Sequence, residues 1–376
     1  MAAYGGMERH ICSLAALAAA RGHRVTLLTT SNSLGADLRT ELHHPLISLR
    51  ELPAARNHAG KIRKLRWLLT EVARARRQKW DLIYTNGQSA LARVVWYAGQ
   101  KSTRRIHHHH TAADAGEQAT WSNAFRQVLQ QAPEIVACSG ATRDAINHAI
   151  RRTRTTYLPY LTRCPVDAAA VRDRTPQAEL NFGFMGRLIP EKGIDAICRL
   201  STEPSLAHIR WHLHGASTAY PAEFFRAWPR VTYHGAYVGT AAQAAALNGL
   251  DAIVLFSIHN EGMPLSLIEA MSAGLPWIAT DRGGTAELAV SAANCIVVPH
   301  PANDAALRRA VDDLSTRLRY GYTSRVAQRR AYDENFSPTV AGARWLAFLE
   351  NAPAVPSLSR TQPATLESAL SSPLSP

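Results

Sequence analysis

The 376-residue chain has no apolar run approaching the roughly 18 residues that a membrane-spanning helix needs. No secretory leader is visible at its start. Cysteine is sparse: Cys12, Cys138, Cys164, Cys198 and Cys295 are scattered, odd in number and without metal-ligand spacing. A disulfide framework and a zinc module are thereby excluded, and reduced thiols in a cytosolic protein are the expectation. Cys138 and Cys295 sit in apolar runs and read as core. No Asp-X-Asp stands at a strand end, and no repeat of 20 to 50 residues is present. Acids are outnumbered, 29 against 42 Lys and Arg, for a net charge of +13. Aromatics make up only 7% and form no stacking platform beside the basic stretches, so nucleic acid is not an expected partner.

What is present suits two globular domains, since the length exceeds one core and hydrophobic residues reach 46%. The most informative stretch runs from His259 to Met271 and holds Glu261 and Glu269, eight residues apart. Asp251 to Ser257 before it is a short branched apolar run, which reads as a buried parallel strand. Pro264 suits the first helical position, where a missing N–H costs nothing. Gly262 permits close backbone approach. The helix that follows offers free N–H groups, which favour an anion such as a diphosphate. Ionised carboxylates only accept hydrogen bonds, so Glu261 and Glu269 beside that anion site are fitted to sugar hydroxyls. Gly274-Leu275-Pro276 stops the helix, Trp277 to Thr280 reads as a strand, and Gly283-Gly284 turns before Glu287. This order predicts an open α/β sheet with its ligand at the carboxyl ends of the strands.

A second anion signal follows the apolar strand Leu180 to Met185: Gly186-Arg187-Leu188-Ile189-Pro190-Glu191-Lys192-Gly193. Arg187 can grip a diphosphate through parallel N–H bonds and Lys192 adds a compact charge. Together they can neutralise a leaving nucleotide diphosphate.

On these motifs the chain resembles the family 4 retaining glycosyltransferases of GT-B architecture. The matching pieces are Gly5-Gly6-Met7-Glu8, Arg21-Gly22-His23-Arg24-Val25, His110-Thr111, Val136-Ala137-Cys138-Ser139, Gly186-Arg187 to Lys192-Gly193, and Glu261 to Glu269. The resemblance implies two Rossmann-like domains facing across a cleft. It gives Arg187 and Lys192 the diphosphate. Glu261 and the backbone of Gly262, Met263, Pro264 and Leu265 take the donor sugar, Glu269 the ribose, and Gly6 a donor phosphate. It further implies a metal-independent reaction without a cofactor, in which attack occurs on the same face and the leaving phosphate helps to deprotonate the acceptor. In the run His107-His108-His109-His110, neighbours on a strand point to opposite faces, which prevents one tidy metal site. The family places a His just after a strand against the donor sugar, and His110 fits best, with His109 as the fallback.

The boundaries expected are an acceptor-side domain over 1–160, a linker over 161–178 and a nucleotide-sugar domain over 179–332. A helix over 333–351 is expected to cross back, and a disordered Pro- and Ser-rich tail to occupy 352–376. First-domain strands are expected at Arg24 to Thr29, Leu82 to Thr85, Arg105 to His109 and Ile135 to Cys138, and second-domain strands near Phe182, Trp211, Val231, Ile253, Trp277 and Ile296. Lys61 to Lys79 carries eight cations and one acid, with Ile62, Leu65, Leu69 and Val72 at helical spacing and Trp67 near the boundary. This helix either packs its apolar stripe on the sheet or docks on an anionic membrane surface, the inner face of the plasma membrane. One departure stands out. A glycine-rich turn should follow a strand, yet only Met1-Ala2-Ala3-Tyr4 precedes Gly5, so the first strand of the first domain is expected to be missing and the natural start to lie about ten residues upstream. The reading at this stage is hexose transfer to a lipid-linked or polysaccharide acceptor, with GDP-mannose as donor and Tyr237 as a base neighbour. A UDP-glucose enzyme of the same fold and a catalytically silent partner subunit stay open.

Overall fold

The computed structural model describes residues 5–30, 34–52, 58–151 and 155–350. Strands and helices alternate from the start. The first domain holds α1 (Gly6–Ala20), β1 (Val25–Thr30), α2 (Ala36–Glu41), β2 (Ile47–Leu52) and α3 (His58–Ala75). It continues through β3 (Leu82–Asn86), α4 (Leu91–Trp96), β4 (Arg104–His109), α5 (Ala115–Thr120) and α6 (Asn123–Gln131). Then come β5 (Glu134–Ala137), α7 (Gly140–Ile150) and β6 (Thr155–Tyr157). The second domain opens with β7 (Leu180–Met185), α8 (Ile194–Leu200), β8 (Ile209–His214), β9 (Val231–Gly235) and α9 (Gly239–Asn248). Next are β10 (Ala252–Leu255), α10 (Leu265–Ser272), β11 (Trp277–Thr280), β12 (Cys295–Val298) and α11 (Asp304–Arg319). α12 (Arg325–Asn335) and α13 (Pro338–Leu349) end the described chain.

All strand pairs are parallel. The second domain is one six-stranded sheet in the order β12-β11-β10-β7-β8-β9. Strand order reverses between β10 and β7, and the loops leaving their carboxyl ends carry Glu261 and Arg187 respectively. Such a switch point opens a crevice by topology alone. Both faces are covered, which is why β10 and β11 are buried at every residue. Phe182, Trp211 and Trp277 fill the core. Gly183 is needed there, because a Cβ at that point would lie 2.3 Å from Leu250.

The first-domain strands form two sheets among the described residues, β1-β2 and β3-β4-β5-β6. β2 and β6 were not anticipated from the sequence. The expected absence of a strand ahead of Gly5 concerns residues 1–4, and the expected disordered tail concerns 352–376; both lie outside the described residues. α13 packs on the first domain, where Trp345 is fully buried and donates Nε1–H to the Pro159 carbonyl at 2.8 Å. It shares a cluster with Leu14, Ile106, Val136 and Leu161.

α3 differs from its expected packing. Leu68 and Val72 are the residues buried against the first-domain core, whereas Ile62, Leu65 and Leu69 are exposed. Val72 therefore leaves the proposed stripe. The reason is a wider apolar arc than one sheet contact can cover, so that its outer edge remains in solvent.

Candidate donor site between two helix starts

Lys192 precedes a tight turn in which Gly193 adopts φ 76°, and a Cβ there would lie 2.2 Å from the Phe256 carbonyl. This close approach brings the loop after β7 onto the loop after β10. Lys192 Nζ donates to both oxygens of Glu261, at 2.6 and 2.8 Å. Ser257 Oγ donates to the same carboxylate at 2.5 Å. Burial drives the Glu261 carboxyl upward, but Lys192, His259 and the Ser257 hydroxyl more than offset this and leave it below its ordinary value. Glu261 is thus a buried, ionised acceptor. Its backbone is fixed as well, by the 3.0 Å bond from Gly284 N–H to its carbonyl. Gly283 at φ 59° makes that approach feasible, since a Cβ would lie 1.9 Å from the Glu261 carbonyl oxygen.

α10 begins at Leu265, and Pro264 precedes it with ψ 105°. Pro264 is the cap and not the first helical residue, a one-position correction caused by the extended Gly262-Met263 loop. Met263 is buried and Leu265 half-buried. Gly6 opens α1 and meets Leu265 directly: a Cβ on Gly6 would be 2.5 Å from Leu265 Cδ1. The amino ends of α1 and α10 therefore converge from opposite domains, each presenting unpaired N–H groups and the positive pole of its helix. Glu269, in the second turn of α10, is 6% exposed and pairs with Arg9 of α1 at 2.5 Å. Burial raises its carboxyl, and Arg9 only partly counters this. Arg187 is exposed and makes no ion pair among the described residues.

The histidine run alternates as strand geometry demands. His107 and His109 face Phe125, whereas His108 and His110 face His10 and Tyr160. His109 Nε2 pairs with Glu117 of its own domain at 2.8 Å. His110 stacks on Tyr160 with 3° between the rings, and its carbonyl abuts Gly262 across the cleft. Burial first, then His10, His109 and His107, hold it well below the ordinary imidazole range. Its Nε2 is buried without a partner. Tyr237, after β9, is half-buried and stands beside Arg9.

Residues without a sequence signal bridge the cleft beside these groups. Glu287 reaches from the second domain to the start of α7, where Gly140 N–H and Ala141 N–H donate to it at 2.9 and 2.7 Å. Asn260 donates to Asp114 across the same cleft. Their partners lie more than 140 residues away, so no local pattern marks them. Among the described residues, no group of three His, Cys, Asp or Glu is arranged to hold a metal ion, and no helix is long and apolar enough to cross a membrane.

Two parallel-sheet domains with a switch-point crevice in the second are the architecture of a GT-B glycosyltransferase. Residues 5–160 match the family described as glycosyl transferase 4-like domain, and residues 179–317 match glycosyl transferases group 1. The chain belongs to these glycosyltransferases. No curated protein matches it. Among solved structures, Alr3699/HepE from Anabaena in complex with UDP and glucose shares 17% identity over 91% of this chain and 96% of its own, with a TM-score of 0.66. Sucrose-phosphate synthase from Thermosynechococcus elongatus shares 17% over 93% and 95%, with a TM-score of 0.70. WaaG, a glycosyltransferase involved in lipopolysaccharide biosynthesis, shares 16% over 90% and 95%, with a TM-score of 0.66.

Proposed function

We propose that this protein is a retaining hexosyltransferase that moves a sugar from a nucleotide diphosphate to a lipid-linked or polysaccharide acceptor. The observation that carries the reading is the meeting of the α1 and α10 amino ends beside the Lys192–Glu261 and Arg9–Glu269 pairs. Two helix poles bind the diphosphate. Lys192 carries three donors, so its pairing with Glu261 leaves one for a phosphate oxygen. Arg187, exposed at the crevice, closes on the same group. Glu261 and the Gly262 to Leu265 backbone hold the hexose, and Glu269 holds the ribose. His110 Nε2 accepts from a sugar hydroxyl, because its ring proton sits on Nδ1 toward the Tyr160 hydroxyl, which itself donates to the His110 carbonyl. In the transfer the bond from the anomeric carbon to the diphosphate oxygen breaks while the acceptor oxygen bonds to that carbon on the same face. The acceptor proton passes to the departing phosphate. The charge that grows on the diphosphate meets preplaced cations and N–H groups, so neither a divalent ion nor a cofactor is required.

GDP-mannose is the first donor proposed. UDP-glucose is the second reading, supported by the Anabaena protein, whose structures hold UDP and UDP-glucose. Incubation of the purified chain with each donor, with and without chelator, tests both. Nucleoside diphosphate release with one donor, unchanged by chelator and lost in Glu261→Ala, is expected. Release only with added divalent metal would overturn the metal-independent mechanism, and release unaffected by Glu261→Ala would overturn the site.

The acceptor-side proposal is docking on the anionic inner face of the membrane. Ile62, Leu65 and Leu69 form an exposed apolar stripe between Arg63, Lys64 and Arg66, all exposed. An apolar strip flanked by cations fits the boundary between anionic headgroups and acyl chains.

A further inference from the structure

Arg9 lies in the first turn of α1, and its guanidinium is committed across the cleft to Glu269. Tyr237 stands beside the guanidinium, and Asp37 and Glu41 of α2 are nearby acids on its own domain. On the other side, the Gln243 amide of α9 lies against Glu269 and helps to lower its carboxyl. The pocket around Glu269 is therefore built from both domains.

We propose that Arg9 is a positioning residue for donor binding: it holds the Glu269 carboxylate as the acceptor for the ribose hydroxyls, so that this site is complete only when the two domains are closed. The proposal rests on the reading of Glu269 as the ribose contact. A carboxylate surrounded by low dielectric takes up a proton unless a cation stands next to it, and a protonated carboxyl can no longer accept on both oxygens. Burial already raises Glu269. The attraction of Arg9 is the main opposing influence, and Gln243 is neutral. Because Arg9 comes from the facing domain, opening the cleft withdraws the cation, and the ribose site weakens at the moment when product must leave.

Titration calorimetry of the full chain with UDP and with GDP, at pH 8 and pH 6, tests this. The variants are Arg9→Met, Arg9→Lys, Glu269→Gln and the Arg9→Met/Glu269→Gln pair. Arg9→Met is expected to weaken the bound nucleotide about tenfold at pH 8, the scale of one charge-assisted contact, and further at pH 6, whereas the wild type changes less between the two. Arg9→Lys should restore most of the affinity. In the Glu269→Gln background the Arg9→Met change should add little. If Arg9→Met costs the same factor with and without Glu269, or has a flat pH response, Arg9 acts elsewhere and the proposal falls while the donor-site reading stands. If the wild type binds neither nucleotide, both fall.

Discussion

Lys192 and Glu261 form an ion pair in which both partners are largely withdrawn from water, and this decides what their mutants do. Removing one partner of such a pair leaves a buried charge and costs about 3–5 kcal/mol. Lys192→Met is therefore expected to destabilise the protein by that amount as well as to abolish transfer. Lys192→Met/Glu261→Gln should recover much of the stability without recovering turnover. Denaturant midpoints alongside donor turnover check this; a double variant as unstable as the single one would mean that the pair is not the source of the loss. Arg187 lacks such entanglement, being exposed and unpaired among the described residues, so its truncation should affect turnover alone. The same contrast explains why the pair could be nominated from the sequence but not its contact. Lys192 and Glu261 each sit in a readable glycine-bracketed loop. Their mutual bond depends on how β7 and β10 lie side by side.

At the scale of elements, alternation of branched strands and helices made the second-domain sheet legible, and all six expected strands occur. β2 and β6 were missed for a physical reason. β2 (Ile-Ser-Leu-Arg-Glu-Leu) is half polar and among the described residues pairs only with β1, and β6 has three residues, so neither presents a continuous apolar run. Helix periodicity found α3 but misassigned its arc, because a moment reports that one face is apolar and not which part of that face is covered. The proposed donor site draws on motifs legible in the sequence, since each glycine loop is local. Arg9, Glu117 and Glu287 were not, since their roles come from contacts over the cleft or across a loop. The α3 stripe gives a prediction at this scale. Ile62→Ser/Leu65→Ser/Leu69→Ser changes only exposed positions, and surface changes of this kind alter stability by about 0.5 kcal/mol or less each. Sedimentation with vesicles containing anionic lipid should show binding by the wild type and at least a severalfold loss in the triple variant, with neutral vesicles binding neither. Equal binding by both proteins would exclude the stripe as the contact.

The whole molecule is expected to lose stability in acid for a reason that lies in its first-domain core. His10, His107 and His108 are fully buried. Burial holds His10 and His107 down to about 3, and burial with neighbouring imidazoles keeps His108 well below its usual value. The unfolded chain takes up protons at these positions near pH 6.5, while the folded one does not. Stability is therefore fully present above pH 6.5 and falls as pH drops from there toward the folded values. Each histidine contributes about 1.4 kcal/mol per pH unit in that window, so three withdraw about 4 kcal/mol by pH 5.5. Thermal midpoints should be flat between pH 8 and 7 and drop steeply between 6.5 and 5.5. A flat profile through 5.5 would show that these imidazoles are not held neutral.

A second whole-molecule feature spans the cleft, the Glu287 carboxylate at the start of α7. Its two N–H contacts join a second-domain loop to a first-domain helix, and the carboxylate lies at the positive pole of that helix. Arg9–Glu269 and Asn260–Asp114 bridge the same gap, and Gly262 lies against the His110 carbonyl. Glu287 differs from these contacts in touching none of the proposed donor residues. Glu287→Ala should thus remove about 1–2 kcal/mol from the closed form, the scale of a lost helix-cap contact, while leaving the chemistry in place. A population shift of that size lowers the closed fraction when the two forms are nearly balanced. The expected result is a larger radius of gyration by solution scattering and a raised KM for donor. Saturating nucleotide should restore the compact radius, because ligand binding favours the closed form by mass action. If the radius and KM of the variant match the wild type, Glu287 serves only to cap α7, and closure rests on the contacts around the donor site itself.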